Sequence, residues 1–391
     1  MSWEFDIPKV VFGEDSIEEL EQLKGESAFI ITDEVVNKLG LVEKVVQILS
    51  NNRWNVAVWD CAEPDPRIST VREAAEGMRN FCADTIIAVG GGSVMDTAKA
   101  AWALYAQPDM DLTALSPFDE LGVKEKARMV CIPTTAGTGS EATKAVVIRE
   151  DESGRKFATI NAELVTDLAI LDPQFVKDLP KTLTAWTGMD ALTHAVEAYI
   201  STWKNDFSDS CTMKAVKMVF EWLPRSVEDG SDMEAREKMQ VAACLAGMSF
   251  SNSQVALAHS LGHSMGSVLR LHHGLSVGMA LPYTIEYVCK GQPDTARHIA
   301  ELARLIDISG KNHERVARKF AAAIRSLMER VGSPTSMKEA KVTKKSFKAG
   351  IDKLVEYAMM DAAITMSPRN TDSKIIRKIY EYMFEGTPID F

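Results

Sequence analysis

Histidine is scarce in this chain, yet five of its seven histidines fall between Gly188 and Gly274. The stretch opens with Gly188-Met-Asp190-Ala-Leu-Thr-His194-Ala-Val-Glu197. It closes with His259-Ser-Leu-Gly-His263-Ser-Met-Gly266 and Leu271-His272-His273-Gly274. Asp190 and His194 are spaced so that on a helix they share one face, one turn apart. A carboxylate and an imidazole held in that way can share a divalent ion. His259 and His263 repeat the spacing, and His273, beyond Gly266, belongs to a later turn or a new helix. One carboxylate among several imidazoles suits zinc, iron or nickel better than magnesium or calcium, which prefer oxygen shells. A bare Asp-x3-His pair is more often a hydrogen-bonded pair than a ligand set; the crowding of a rare residue turns the reading toward metal.

The rest of the chain falls into two regimes. Up to Leu171, short apolar runs alternate with amphipathic stretches: strands at Ser27–Asp33, Trp54–Asp60 and Asp84–Val89, helices at Glu34–Leu49 and Thr70–Phe81. That β-α-β-α-β order predicts a parallel sheet with helices on its faces. A further strand is expected at Met129–Ile132, a hairpin from Lys144–Ile148 and Arg155–Ile160 around the turn Asp151-Glu-Ser-Gly154, and a last strand at Leu168–Leu171. From Leu179 onward the periodicity is helical almost throughout. The expected domains are therefore an α/β unit over residues 1–179 and an all-helical unit over residues 180–391 that carries the histidines.

Gly90-Gly91-Gly92-Ser93-Val-Met-Asp96 follows the third of these strands and opens a helix. The glycines allow close backbone approach, and the free amides at the helix start favour an anion such as a pyrophosphate. The run is neither G-x-G-x-x-G nor a P-loop. Pro133-Thr134-Thr135-Ala-Gly137-Thr138-Gly139-Ser140 follows another strand and offers hydroxyls to ribose or phosphate oxygens. Asp33, at the end of the first strand, either accepts from ribose hydroxyls or N-caps the helix beginning at Glu34.

Taken together, these motifs resemble the iron-containing (group III) alcohol dehydrogenases along nearly the whole chain. The resemblance rests on Gly90-Gly-Gly-Ser-Val-Met-Asp96, Pro133-Thr-Thr-Ala-Gly-Thr138, Gly188 to Tyr199, and His259-x3-His263-x9-His273-Gly274. It implies an N-terminal dinucleotide-binding domain and a C-terminal metal-binding domain, a dehydroquinate synthase-like fold with the site in the cleft between them. It also implies Asp190, His194, His259 and His273 as ligands of iron(II), with zinc the other ion for such a set. His263 would stand near the nicotinamide without being a primary ligand. Gly91, Gly92 and Ser93 would hold the pyrophosphate, with Asp96, Thr134, Thr135, Thr138 and Lys156 on the cofactor side. An acid at Asp33 accompanies NAD rather than NADP, because a 2′-phosphate there meets like charge. Three positions depart from the family pattern: Asp65 replaces an asparagine between two prolines, and His272 and Ser264 replace common prolines.

The implied reaction is hydride transfer between a small alcohol or aldehyde and the nicotinamide, with a Lewis-acidic ion easing loss of the alcohol proton. His263 is either the proton relay or a neighbour that only packs beside the site. Glycerol dehydrogenases share the architecture but bind zinc through fewer histidines. Dehydroquinate synthases are lyases that need several basic residues around the metal, whereas the neighbours here are Leu192, Ala195, Leu257, Ala258, Leu261 and Gly262. A net charge of −11 argues against nucleic-acid and anionic-membrane partners. Six scattered cysteines without C-x-x-C and an acidic start at Met1-Ser-Trp-Glu fit the cytoplasm. The resemblance implies a homodimer or larger homo-oligomer.

Overall fold

A computed structural model of the chain describes residues 4–152 and 154–391, and divides into two compact units between Leu179 and Pro180. Met1–Trp3, and Ser153 in the expected hairpin turn, lie outside the described residues. The first unit contains strands β1 (Lys9–Phe12), β2 (Ser27–Ile31), β3 (Asn55–Trp59), β4 (Thr85–Gly90), β5 (Arg128–Pro133), β6 (Ala145–Arg149), β7 (Lys156–Ile160) and β8 (Leu168–Leu171). Its helices are α1 (Glu34–Lys38), α2 (Leu41–Asn51), α3 (Ile68–Phe81), α4 (Gly92–Ala106) and α5 (Val123–Lys126). Six strands form one parallel sheet in the order β1-β8-β5-β4-β2-β3. β6 and β7 pair separately as an antiparallel hairpin.

The central strands are apolar because both faces of the sheet are covered. In β4, Ile86 and Ala88 join the core beneath α3 and α4, while Ile87 and Val89 join the core beneath α2. β2 divides in the same way, Phe29 and Ile31 to one side and Ala28 and Ile30 to the other. Two details depart from the sequence expectation. The helix expected over Glu34–Leu49 is two helices, broken at Gly40, whose φ of +74° is a left-handed conformation that glycine adopts without steric cost. β1 is an additional edge strand with no buried residue along it, so it leaves no apolar run to read, and it makes the glycine loop follow the fourth strand of the chain.

The chain moves outward from β2 to β3, then crosses back to β4 and β5 on the other side of β2. The winding direction therefore reverses between β2 and β4. Crevices at the carboxyl ends of strands at such a reversal are where open α/β sheets take ligands. Asp33 follows β2 and Gly91 follows β4, so both stand at this reversal. Thr32 Oγ1 donates to the Val89 carbonyl at 2.8 Å and ties the two strand ends together.

The second unit consists of α6 (Lys181–Ile200), α7 (Asp206–Glu228), α8 (Met233–Ser251), α9 (Leu257–Leu269), α10 (His273–Cys289), α11 (Pro293–Arg304), α12 (His313–Arg330), α13 (Lys344–Met360) and α14 (Ser373–Glu385), with short 3-10 turns between some of them. Among the described residues no helix is long and apolar enough to cross a membrane. α6 is buried on every side from Thr187 to Ile200, which marks it as the central helix of this unit. α10 crosses α6 with almost no side-chain spacing. A Cβ on Gly274 would lie 2.4 Å from the Trp186 carbonyl oxygen, and one on Gly278 would lie 2.8 Å from Met189 Cβ.

Candidate metal centre and cofactor loops

That close crossing sets the first turn of α10 against the middle of α6. Asp190 and His194 project from α6, His259 from α9 and His273 from the first residue of α10. One donor atom from each of the four lies within 4.8 Å of every other. From Asp190 Oδ1 the nearest imidazole nitrogens are at 3.7 Å in His194, 3.9 Å in His259 and 3.4 Å in His273. Two ligands at ordinary bond lengths on one tetrahedral ion stand about 3.4 Å apart. These separations suit a shared ion and are too long for good direct hydrogen bonds.

The decisive observation is what these atoms lack. Asp190 Oδ1, His194 Nδ1 and His259 Nε2 are all buried without a hydrogen-bond partner. An orphaned buried polar atom costs about 1–3 kcal/mol, and three facing one point are satisfied together by a cation. The protonation states agree. Burial pushes Asp190 up, but His194, His273 and His259 outweigh it and hold the carboxyl well below the usual range. Burial pushes His194 down to about 3 and lowers His259 well below its ordinary value. An ionised acid and neutral imidazoles are the forms that bind metal.

Glu197 fixes the orientation of His259. Its carboxylate accepts from His259 Nδ1–H at 2.7 Å, which leaves Nε2 as the lone-pair nitrogen facing Asp190. It also accepts from the amides of Ala256, Ala258 and His259 at 3.0, 2.5 and 3.2 Å. Burial pushes the Glu197 carboxyl up, against the pull of those three amides. The sequence reading gave Glu197 no role. Two signals were available: it lies on the face of α6 that carries Asp190 and His194, and α9 begins after Ala256, a residue that cannot cap a helix, so its free amides need an acceptor from elsewhere.

His263 stands beside the four donors but does not share their centre. Its ring stacks on His273 with centroids 5.3 Å apart and meets His259 edge-on at 5.7 Å. Its Nδ1 bonds to Asp361 Oδ2 at 2.8 Å. Burial of Asp361 is outweighed by His263 and by the Ala363 amide, so the carboxyl is held low. Nothing in the sequence linked residues 98 apart. His272 turns outward and lies tilted against Trp186, with ring centroids 5.1 Å apart, and Phe250 stacks on His194 at 4.2 Å. Ser264 bonds to the Tyr380 hydroxyl and donates to the Leu261 carbonyl.

In the first unit the glycine turn and the threonine loop lie against each other. A Cβ on Gly91 would meet Thr135 Cγ2 at 3.3 Å, and one on Gly92 would meet Thr138 Cγ2 at 2.8 Å. The Thr134 amide donates to the Gly90 carbonyl at 3.0 Å, and Ser93 sits in the first turn of α4. Other expected cofactor residues have protein partners. Asp33 Oδ1 caps α1, accepting from the amides of Val35 and Val36 at 2.9 Å each. Asp96 accepts from Ser140 Oγ at 3.1 Å and from the Val147 amide at 3.2 Å. Lys156 pairs with Asp65 at 2.5 Å, the residue that departs from the family pattern.

A parallel α/β sheet with a glycine loop at its winding reversal, and a helical unit with one acid and three imidazoles around an unsatisfied centre, are the parts a metal-dependent dehydrogenase requires. Comparison with known proteins agrees. Residues 8–173 match the family described as iron-containing alcohol dehydrogenase, and residues 184–384 match its C-terminal domain. The chain is 35% identical to the NADPH-dependent butanol dehydrogenase of Clostridium saccharobutylicum, covering 99% of both proteins. It is 36% identical to aldehyde-alcohol dehydrogenase 2 of Entamoeba histolytica but spans only 45% of that longer protein. Among solved structures, a 1,3-propanediol oxidoreductase aligns with a TM-score of 0.89 at 31% identity, over 98% of this chain and 100% of the other. An alcohol dehydrogenase from Oenococcus oeni aligns with a TM-score of 0.90 at 30% identity, with the same coverage. The chain belongs to the iron-containing alcohol dehydrogenase family and has its dehydroquinate synthase-like fold class.

Proposed function

We propose that this chain transfers hydride between a nicotinamide dinucleotide and a small alcohol or aldehyde, with residues 180–391 as the metal-binding domain and residues 1–179 as the dinucleotide-binding domain. The reading rests above all on the three orphaned donors of Asp190, His194 and His259, which converge with His273. These four residues hold the ion, taken as iron(II) from family membership, with zinc the competitor favoured by intrinsic affinity. When bound, the ion supplies Lewis acidity that polarises a carbonyl and eases deprotonation of an alcohol.

The chain's own residues do the rest. Glu197 keeps the His259 Nε2 lone pair directed at the centre. Asp361 accepts from His263 Nδ1–H, which makes Nε2 the nitrogen that accepts the alcohol proton in oxidation and returns it in reduction. Gly91, Gly92 and Ser93 present amides to the pyrophosphate, and the hydroxyls of Thr134, Thr135 and Thr138 line the same turn. Asp96 and Lys156 stay on the cofactor side through the segments they brace. We take NAD as the preferred dinucleotide, because Asp33 stands where a 2′-phosphate meets like charge, although the butanol dehydrogenase relative is named NADPH-dependent.

Metal analysis after anaerobic purification, with NADH and NADPH oxidation across an aldehyde panel, tests the proposal. One iron or zinc per chain and NADH-driven aldehyde reduction are expected. Loss of His259 should remove both metal and activity; metal retained at full stoichiometry without His259 would overturn the ligand assignment. Replacing His263 by alanine should slow turnover and leave metal in place. We further place the protein in the cytoplasm as a homo-oligomer. The six free cysteines support the compartment, and sedimentation of the purified protein tests the assembly.

A further inference from the structure

Lys99 lies about two turns into α4 from the glycine turn, and its side chain is fully buried. Its amine donates to the carbonyl oxygens of Ser140 and Thr143, the latter at 2.7 Å. The hydroxyls of the same two residues lie at 3.3 and 3.1 Å, and the Ala145 carbonyl at 3.4 Å. One turn earlier on the same face, Asp96 takes the Ser140 hydroxyl and the Val147 amide. One face of one helix thus grips the segment 140–147 at both polarities: the lysine holds its carbonyls, the aspartate its donors.

That segment continues directly from the threonine loop, whose Thr135 and Thr138 abut Gly91 and Gly92. A buried amine is expensive unless each of its protons is met, and an apolar side chain of similar volume avoids that cost. Burial does push the Lys99 ammonium down, with Asp96 and Glu141 acting the other way. An apolar side chain, however, cannot hold inward-facing carbonyls.

We propose that Lys99 is a positioning residue for the dinucleotide, fixing the Ser140–Thr143 turn so that the threonine loop and the Gly91–Gly92 amides face one anion. This rests on reading the glycine turn as the pyrophosphate site. Without the amine, the Thr143 carbonyl loses the lysine bond, the Ser140 carbonyl keeps only the Thr143 amide and hydroxyl, and the turn relaxes. The threonine loop then drifts out of register with the helix start. The metal donors on α6, α9 and α10 are untouched.

The test is Lys99→Met in the full chain, read by NADH binding through nicotinamide fluorescence, by metal content and by the thermal midpoint without cofactor. NADH affinity should fall about tenfold, metal content should hold, and turnover at saturating NADH should change little. Thr143→Val, which removes only one partner of the amine, should weaken NADH in the same direction but less, and serves if Lys99→Met does not fold. Gly92→Ala supplies the control, since its Cβ would press on Thr138 2.8 Å away. If Gly92→Ala leaves NADH affinity intact, the pyrophosphate reading fails and this proposal with it. If Gly92→Ala weakens NADH while Lys99→Met and Thr143→Val bind it like wild type, only the role of Lys99 is refuted, and a lowered thermal midpoint would then mark it as packing alone.

Discussion

Changing Glu197 to glutamine preserves shape and every metal donor, so its effect on metal reads the negative charge that faces His259. One Glu197 oxygen takes the Ala258 amide, while the other takes the amides of Ala256 and His259 and the His259 Nδ1–H. Glutamine has one acceptor where glutamate has two. The donor-rich position claims the amide oxygen, which turns the amide NH2 toward the Ala258 N–H, donor against donor. One unmet buried amide costs about 1–3 kcal/mol, and the remaining bonds lose the part of their strength that came from charge, roughly half. Together the loss is roughly 2–5 kcal/mol for this unit. The imidazole also loses the negative charge that makes Nε2 a good ligand, and changes of this kind lower metal affinity about 10–100-fold.

Chelator competition on Glu197→Gln measures the metal affinity, and urea unfolding of the metal-free protein measures the stability. Both should fall. A variant that holds metal as tightly as wild type would refute the view that the charge of this carboxylate strengthens His259 as a ligand, whatever its stability. A variant that loses metal affinity but unfolds at the wild-type urea concentration would refute the account of the three amides.

Other expectations follow from the same contacts. Gly274→Ala drives a Cβ to within 2.4 Å of the Trp186 carbonyl oxygen, which is backbone and cannot swing aside. α10 must retreat and carry His273 away, so metal content of the purified variant should drop while helix content by circular dichroism holds. Arg325, itself half-buried, pairs with the buried Glu286 at 2.5 and 3.0 Å, and Glu286 also holds the Ile389 amide. Arg325→Met strands that acid, and urea unfolding should show a loss of about 3–5 kcal/mol. Asp33→Ser keeps an N-cap for α1 but removes the acid, so the ratio of kcat/KM for NADPH to that for NADH should rise with little loss of stability. Acid should destabilise the metal-free protein. His194 is held down to about 3 in the fold, so below pH of about 6.5 the unfolded chain binds a proton that the folded chain refuses. Stability therefore falls as pH falls through that window, and the depressed Asp190 adds to the loss at its lower end. A flat urea midpoint between about pH 7 and pH 5 would contradict this.

What the sequence made legible was whatever is encoded by spacing along one element. Asp190 and His194 sit one turn apart on a single helix, and the glycine turn sits between a strand and a helix start, so both are visible without knowing which elements meet. The split of the helix at Gly40 and the added strand β1 are local matters too. One turns on the backbone freedom of a glycine, the other on a strand too exposed to show an apolar run. The partners that complete each site are of another kind. Glu197 reaches His259 across 62 residues, Asp361 reaches His263 across 98, and Lys99 reaches Ser140 across 41. Glu197 and Lys99 are long polar side chains buried where an apolar one would pack at lower cost. A sequence records that cost only as a polar residue on a face that is otherwise apolar. Glu197 lies within a buried run of α6 and Lys99 within a run of alanines on α4, so both carried that mark. The mark says that a partner must exist, because an isolated charge could not remain there. It cannot say which partner, since that depends on how helices far apart in the chain cross. The glycines that permit those crossings, Gly274 above all, therefore position the metal donors as firmly as any residue that touches them.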